Sequence, residues 1–272
     1  MSKPHVYNTE GVVLRSSQLG EADRLLTIFS PTVGKFKASA RGVRKLTSKL
    51  AGHLDVLTRS HLTVAKGRGG LDTITMAETI QAFIPAKSSL YRISRAMYLG
   101  ELVDALNPLE APNSSAYSLL LEGLDQLGGN IDIDLMMRYI ELHLLDNSGF
   151  LPELHHCVEC HKTVSPGAHH FSPRAGGLIC PDCHRLDEDT VSLSLGALKV
   201  LRYLSSSTQG SAMALVIPQP LHRELAGLLA GYLRYILEKE MRSLNFLYML
   251  GLTNHSEPVG SQVGRESAVL KK

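Results

Sequence analysis

The stretch Gly34-Lys35-Phe36-Lys37-Ala38-Ser39-Ala40-Arg41 alternates with a period of two. Lys35, Lys37, Ser39 and Arg41 fall on one side, and Phe36, Ala38 and Ala40 on the other. In a strand, successive side chains point to opposite faces, so this pattern predicts cations turned outward and small apolar groups packed inward. Gly42 then releases the chain into a loop carrying Arg44, Lys45, Ser48 and Lys49. Other short alternating or β-branched runs surround it: Gly11 to Arg15, Arg24 to Ser30, His61 to Lys66 and Leu71 to Ala77. Turn signals at Ser30-Pro31 and Gly67-Arg68-Gly69-Gly70 separate them. Five short strands within 80 residues predict a small barrel, and the OB-fold is a five-stranded barrel that handles nucleic acid. The glycine run at 67–70 reads as a hairpin turn and not as a phosphate cradle, because no helix start follows it.

Charge supports that reading. Residues 1–80 hold twelve Lys and Arg against six Asp and Glu, whereas residues 81–150 hold four against nine. Between Lys35 and Lys49 stand six cations and no acid. A local field of that sign attracts polyanions. Arg24, Lys35, Lys37, Arg41, Arg44, Lys45 and Lys49 are the predicted phosphate contacts.

From residue 88 the period becomes helical. Leu90, Ile93, Met97, Leu102 and Leu106 recur at helical spacing until Pro108 stops the run. A second helix is predicted from Ser114 to Gly128-Gly129, and a third from the N-cap Asp132 to Asn147, with Gly149 beyond. Further helices are predicted from Ser194 to Ser205 and from Leu221 to Ser243, and a disordered tail from Thr253. The expected organisation is multidomain α+β. A barrel at 1–80 precedes an all-α domain at 81–150 and 191–250, interrupted by a cysteine module at 151–190, with a tail at 251–272.

The chain has four cysteines, in two pairs: Cys157-Val-Glu-Cys160 and Cys180-Pro-Asp-Cys183. Two knuckles of this spacing suit one tetrahedral zinc ion, and a filled thiolate shell leaves no open position for water. Zinc here is therefore structural. The surrounding histidines (His155, His156, His161, His169, His170, His184) read as surface residues, with one of them as the alternative fourth ligand.

The same residues exclude several functions. The N-terminus lacks a charged-then-apolar leader pattern, and the apolar stretch from Leu225 to Leu237 is short and broken by Arg234. A soluble cytoplasmic protein with no membrane partner is expected. No Walker loop, nucleophile elbow or His-Glu-x-x-His occurs. A deaminase reading fails because His222-Arg223-Glu224 follows the cysteines and the thiolate shell is already full. The rival binding reading, a zinc-ribbon transcription or RNA-associated factor, places the contacts on a cysteine module that is not basic.

These segments resemble the RecO family of bacterial recombination mediators. The resemblance rests on Glu21-Ala22-Asp23-Arg24, Gly34-Lys35 and Ala40-Arg41-Gly42-Val43-Arg44-Lys45. It extends over Tyr98 to Leu106, Arg138 to Cys160, Phe171 to Cys183 and Arg242 to Leu247. It implies an N-terminal OB-fold, a helical C-terminal domain with an inserted zinc module, and a non-enzymatic role. It also implies binding of single- and double-stranded DNA and annealing of complementary strands. The implied partners are RecR, the tail of single-stranded DNA-binding protein, and RecF and RecA in the RecF pathway. One departure stands out: Phe29 and Phe36 are the only aromatics between residues 8 and 82, so base stacking is expected to be minor.

Overall fold

The computed structural model describes residues 6–67, 70–165, 167, 169–184, 190–239 and 241–243. Five strands, β1 (Val6–Leu19), β2 (Asp23–Ser30), β3 (Gly34–Ala40), β4 (Arg59–Ala65) and β5 (Asp72–Gln81), close a barrel in the order β1-β2-β3-β5-β4. All pairings are antiparallel except the short parallel closure of β3 on β5. This is the OB-fold expected from the sequence.

The first strand is far longer than its apolar run suggested, because it serves two partners. Its first half, Val6 to Val12, pairs with β4, and its second half, Val12 to Leu19, pairs with β2. Gly11 sits at the bend, where an added Cβ would lie 2.6 Å from Ile28 and 3.0 Å from the Phe29 carbonyl. Val13 points into the barrel with Leu26, Ile28, Phe36, Ala38, Leu62, Val64 and Ile74. Val12 and Leu14 point the other way and join the helical core, as do Phe29 and Leu57. The continuous apolar run Gly11 to Leu14 is thus explained: both of its faces are buried.

The helical domain begins after a 3₁₀ turn at Ile84–Lys87. Helix α1 (Leu90–Leu106) is capped by Ser89, α2 (Ser114–Gln126) by Asn113 and α3 (Ile133–Asn147) by Asp132. Each cap side chain accepts a backbone N–H from the first turn, as its residue type dictates. Then comes a three-stranded sheet, β6 (His169–Ser172), β7 (Gly177–Ile179) and β8 (Val191–Leu193), which pattern reading did not supply. These strands have three or four residues, too short to carry a period. Helices α4 (Leu195–Ser206), α5 (Gln209–Met213) and α6 (Gln219–Leu237) complete the domain. Helix α6 stops earlier than the predicted Ser243, because Glu238 turns left-handed at φ 50°. The tail from Thr253 and most of the Arg242 to Leu247 block lie outside the described residues.

Barrel and helices share one core. Phe29 lies against Tyr117 of α2, ring centroids 6.0 Å apart. The loop between α1 and α2 runs beside β3: Glu110 N–H donates to the Lys35 carbonyl at 2.7 Å, and Leu109 bridges to Lys35 in parallel sense. Gly34 makes this approach possible, since a Cβ there would fall 2.3 Å from the Ala111 carbonyl oxygen.

Candidate nucleic-acid interface and metal centre

Two motifs far apart in sequence build the basic surface together. The carboxylate of Asp23, the first residue of β2, accepts the Gly42 N–H at 2.7 Å. The Ala22 carbonyl accepts the Arg44 N–H at 3.0 Å, and the Glu21 carbonyl accepts from the Arg44 guanidinium at 2.9 Å. Gly42, at φ 63°, supplies the left-handed turn that a side chain would disfavour. Val43 is buried in the barrel core, pinning the loop from beneath. A cationic loop that would otherwise repel itself is thereby held against the β1–β2 hairpin.

The predicted contacts separate into two groups. Lys37, Arg41, Arg44, Lys45 and Lys49 are exposed and lie on β3 or its loop. Lys35 is not with them. Its side chain is only 12% exposed and reaches into the helical domain, its ammonium 3.1 Å from an Asp104 carboxylate oxygen and also donating to the Asp104 carbonyl. Ser39, predicted outward, is likewise buried, with Thr73 and the Asp72 carbonyl as partners. The expectation that every second residue of this strand faces solvent is corrected on this point, because neighbouring elements cover both positions. Arg24 shares the parity of Leu26 and Ile28 and is part-exposed, its guanidinium 3.8 Å from the exposed Asp55 carboxylate.

One cation escaped the sequence reading. Arg15 pairs with Thr27, which pairs on its other side with Lys37, so Arg15 and Lys37 flank one position of the outer sheet. Arg15 is 67% exposed and 3.4 Å from Asp104. A register shift between Val13 and Arg15 produces this placement. Strict alternation puts Arg15 on the inner side with Val13, and no residue pattern signals the bulge.

The four thiols converge as predicted. Their sulfurs all lie within 4.8 Å of one another, with Cys160 and Cys180 at 3.9 Å. A tetrahedral site with metal–sulfur bonds of about 2.3 Å has edges of roughly 3.8 Å, so the donor set fits one ion. The backbone brings the knuckles together: Val158 N–H donates to the Leu178 carbonyl at 2.8 Å, and the Cys180 N–H points at the Cys157 sulfur at 3.4 Å. Gly177 is required here, since a Cβ would fall 2.7 Å from both the Glu153 carbonyl oxygen and the Val158 side chain. Burial opposes ionisation of Cys157, but N–H donors from Cys160, Cys180 and Glu159 outweigh it and bring the thiol down to about 6. Hydrogen bonding to Cys180 and Cys160 pushes Cys183 up to about 12. Among the described residues, no histidine joins the cluster. His169 is buried and bonded to the Ser165 carbonyl, while His170 stacks on His184 at 3.5 Å. The module docks on the helices through Phe171 against Tyr232, Tyr232 to the Phe150 carbonyl, and Arg202 to the Leu154 carbonyl.

Comparison with known proteins agrees with this architecture. Residues 1–83 match the family model for the Recombination protein O N terminal, and residues 87–245 match that for the Recombination protein O C terminal. The chain belongs to the RecO family. Relatives named DNA repair protein RecO include one from Dehalococcoides mccartyi, 37% identical over 93% of this chain and 100% of that protein. One from Roseiflexus sp. is 42% identical over 90% of this chain and 86% of its own. Another, from Pelotomaculum thermopropionicum, is 34% identical over 94% and 97% respectively. This RecO-family chain is accordingly a DNA repair protein, and no described helix is long and apolar enough to cross a membrane.

Proposed function

We propose that this DNA repair protein is a non-enzymatic recombination mediator of the RecF pathway. It binds single- and double-stranded DNA through one cationic face and anneals complementary strands. The observation that supports this reading is the convergence of Lys37, Arg41, Arg44, Lys45 and Lys49, joined by Arg15, on a surface anchored by the Glu21-Ala22-Asp23 turn. Phosphate neutralisation releases counterions and is indifferent to sequence. Two strands held on such a surface repel each other less, so annealing requires no bond to be made or broken. With RecR, and through the tail of single-stranded DNA-binding protein, the protein helps load RecA on coated DNA. It works in the cytoplasm, and its cysteines hold one structural zinc ion.

The decisive experiment replaces Arg41, Arg44 and Lys45 by Ala together and measures affinity against salt. Binding is expected to weaken for all sequences, and the slope of log K against log salt to fall by roughly 0.7–0.9 for each phosphate no longer neutralised. An unchanged slope removes this face from the interface. Strand annealing with and without RecR and single-stranded DNA-binding protein tests the mediator role.

Zinc is tested by metal analysis and stripping. One zinc per chain is expected, and stripping should lower the melting temperature by well over the ~4 °C that follows from about 1 kcal/mol. Absence of bound metal from native protein would overturn the assignment.

A further inference from the structure

The cationic loop presents one side chain that phosphate binding does not use. Leu46 is 106% exposed, the highest value of any large apolar residue among those described. A lone exposed leucine ordinarily needs no explanation. This one is placed by a defined backbone. Two successive turns, Lys45 N–H to Gly42 carbonyl at 3.0 Å and Ser48 N–H to Lys45 carbonyl at 3.0 Å, carry the loop outward and back. Leu46 follows the residue shared by both turns. The other apolar residues of the loop behave oppositely: Val43 is buried in the barrel core, and Leu50 packs against it. Around Leu46, Arg44, Lys45, Thr47 and Lys49 are all exposed.

A nucleic acid held by those cations brings its bases close to the loop tip. Proteins usually meet unpaired bases with aromatic rings. In this barrel Phe29 and Phe36 are buried at 0% and 4% exposure, and Tyr7 is half-buried against Phe36 with its hydroxyl donating to Asp72. An aliphatic side chain can still cover a base face, or wedge between steps that are free to unstack. In an intact duplex the same insertion costs unstacking, so the contact favours single strands.

We infer that Leu46 is the base-contacting residue of the cationic loop, an aliphatic platform for unpaired bases. The inference rests on the DNA-binding reading above and adds to it a contact that does not depend on salt.

The chain contains no tryptophan, which makes a clean test possible. Leu46→Trp places a single indole at the loop tip, and its emission should change when oligo(dT) is added. Leu46→Ser should bind oligo(dT) about five- to ten-fold more weakly, the share of a partly covered leucine side chain. Its salt slope should be unchanged, and its affinity for a duplex of the same length should move less than about two-fold. Leu46 is fully exposed, so neither variant should alter the melting temperature. Three results would overturn the proposal: unchanged oligo(dT) affinity in Leu46→Ser, equal losses on oligo(dT) and duplex, or an indole blind to oligo(dT) that anisotropy shows to be bound. If the unmodified protein binds neither DNA, the interface reading itself falls, an outcome distinct from those three.

Discussion

At one end of β3, Lys35 lies 12% exposed with its ammonium 3.1 Å from Asp104; two residues on, Lys37 stands in solvent. The two lysines share a strand, a face by parity and a charge. They differ in what the rest of the chain brings against them. The α1–α2 loop lies along Gly34 and Lys35 and makes that end of the strand part of the interface between barrel and helices. At the other end, Gly42 and the Glu21-Ala22-Asp23 turn hold a loop that presents its cations to water. A basic strand is therefore not one functional unit. Its first residues are a weld, and its last residues and following loop form a candidate docking surface.

The sharpest way to break this comparison is at Gly34. An Ala there places a Cβ 2.3 Å from the Ala111 carbonyl oxygen, at a φ of 77° that disfavours side chains. Strain and backbone displacement together should cost about 2–4 kcal/mol, read as a fall in denaturation midpoint. A variant as stable as the parent would show that the α1–α2 loop does not weld this end. Lys35→Met comes next. It leaves the part-buried Asp104 carboxylate with the exposed Arg15, 3.4 Å away, as its cation, and should cost about 1–3 kcal/mol while leaving the salt slope of DNA binding unchanged. Lys37→Met has the smallest effect on the fold and the opposite signature. Its stability should shift by less than about 0.5 kcal/mol, while the salt slope should fall by roughly 0.7–0.9. If Lys35→Met and Lys37→Met lower the slope equally, the division of the strand is wrong.

Much of the fold was legible because local chemistry agreed with it. Ser89, Asn113 and Asp132 each precede a helix and cap it. Two Cys-x-x-Cys knuckles declared their convergence by spacing alone. The strands of the cysteine module were invisible, since three residues carry no period. The two ends of β1, Val6 to Glu10 and Ser16 to Leu19, were missed because they are mostly polar and hold their place by pairing with β4 and β2.

Composition and order alone determined that this chain makes a barrel, a helical domain and a thiolate cluster, and that its positive charge gathers between Lys35 and Lys49. Alternation, caps and ligand spacing are properties of neighbours along the chain. Tertiary structure decided which cations are free. Lys35 is drawn inward by Asp104, 69 residues away, while Arg15, beside the same carboxylate, is turned outward by a bulge and stays 67% exposed. Charge is written in each residue, but availability depends on what packs against it.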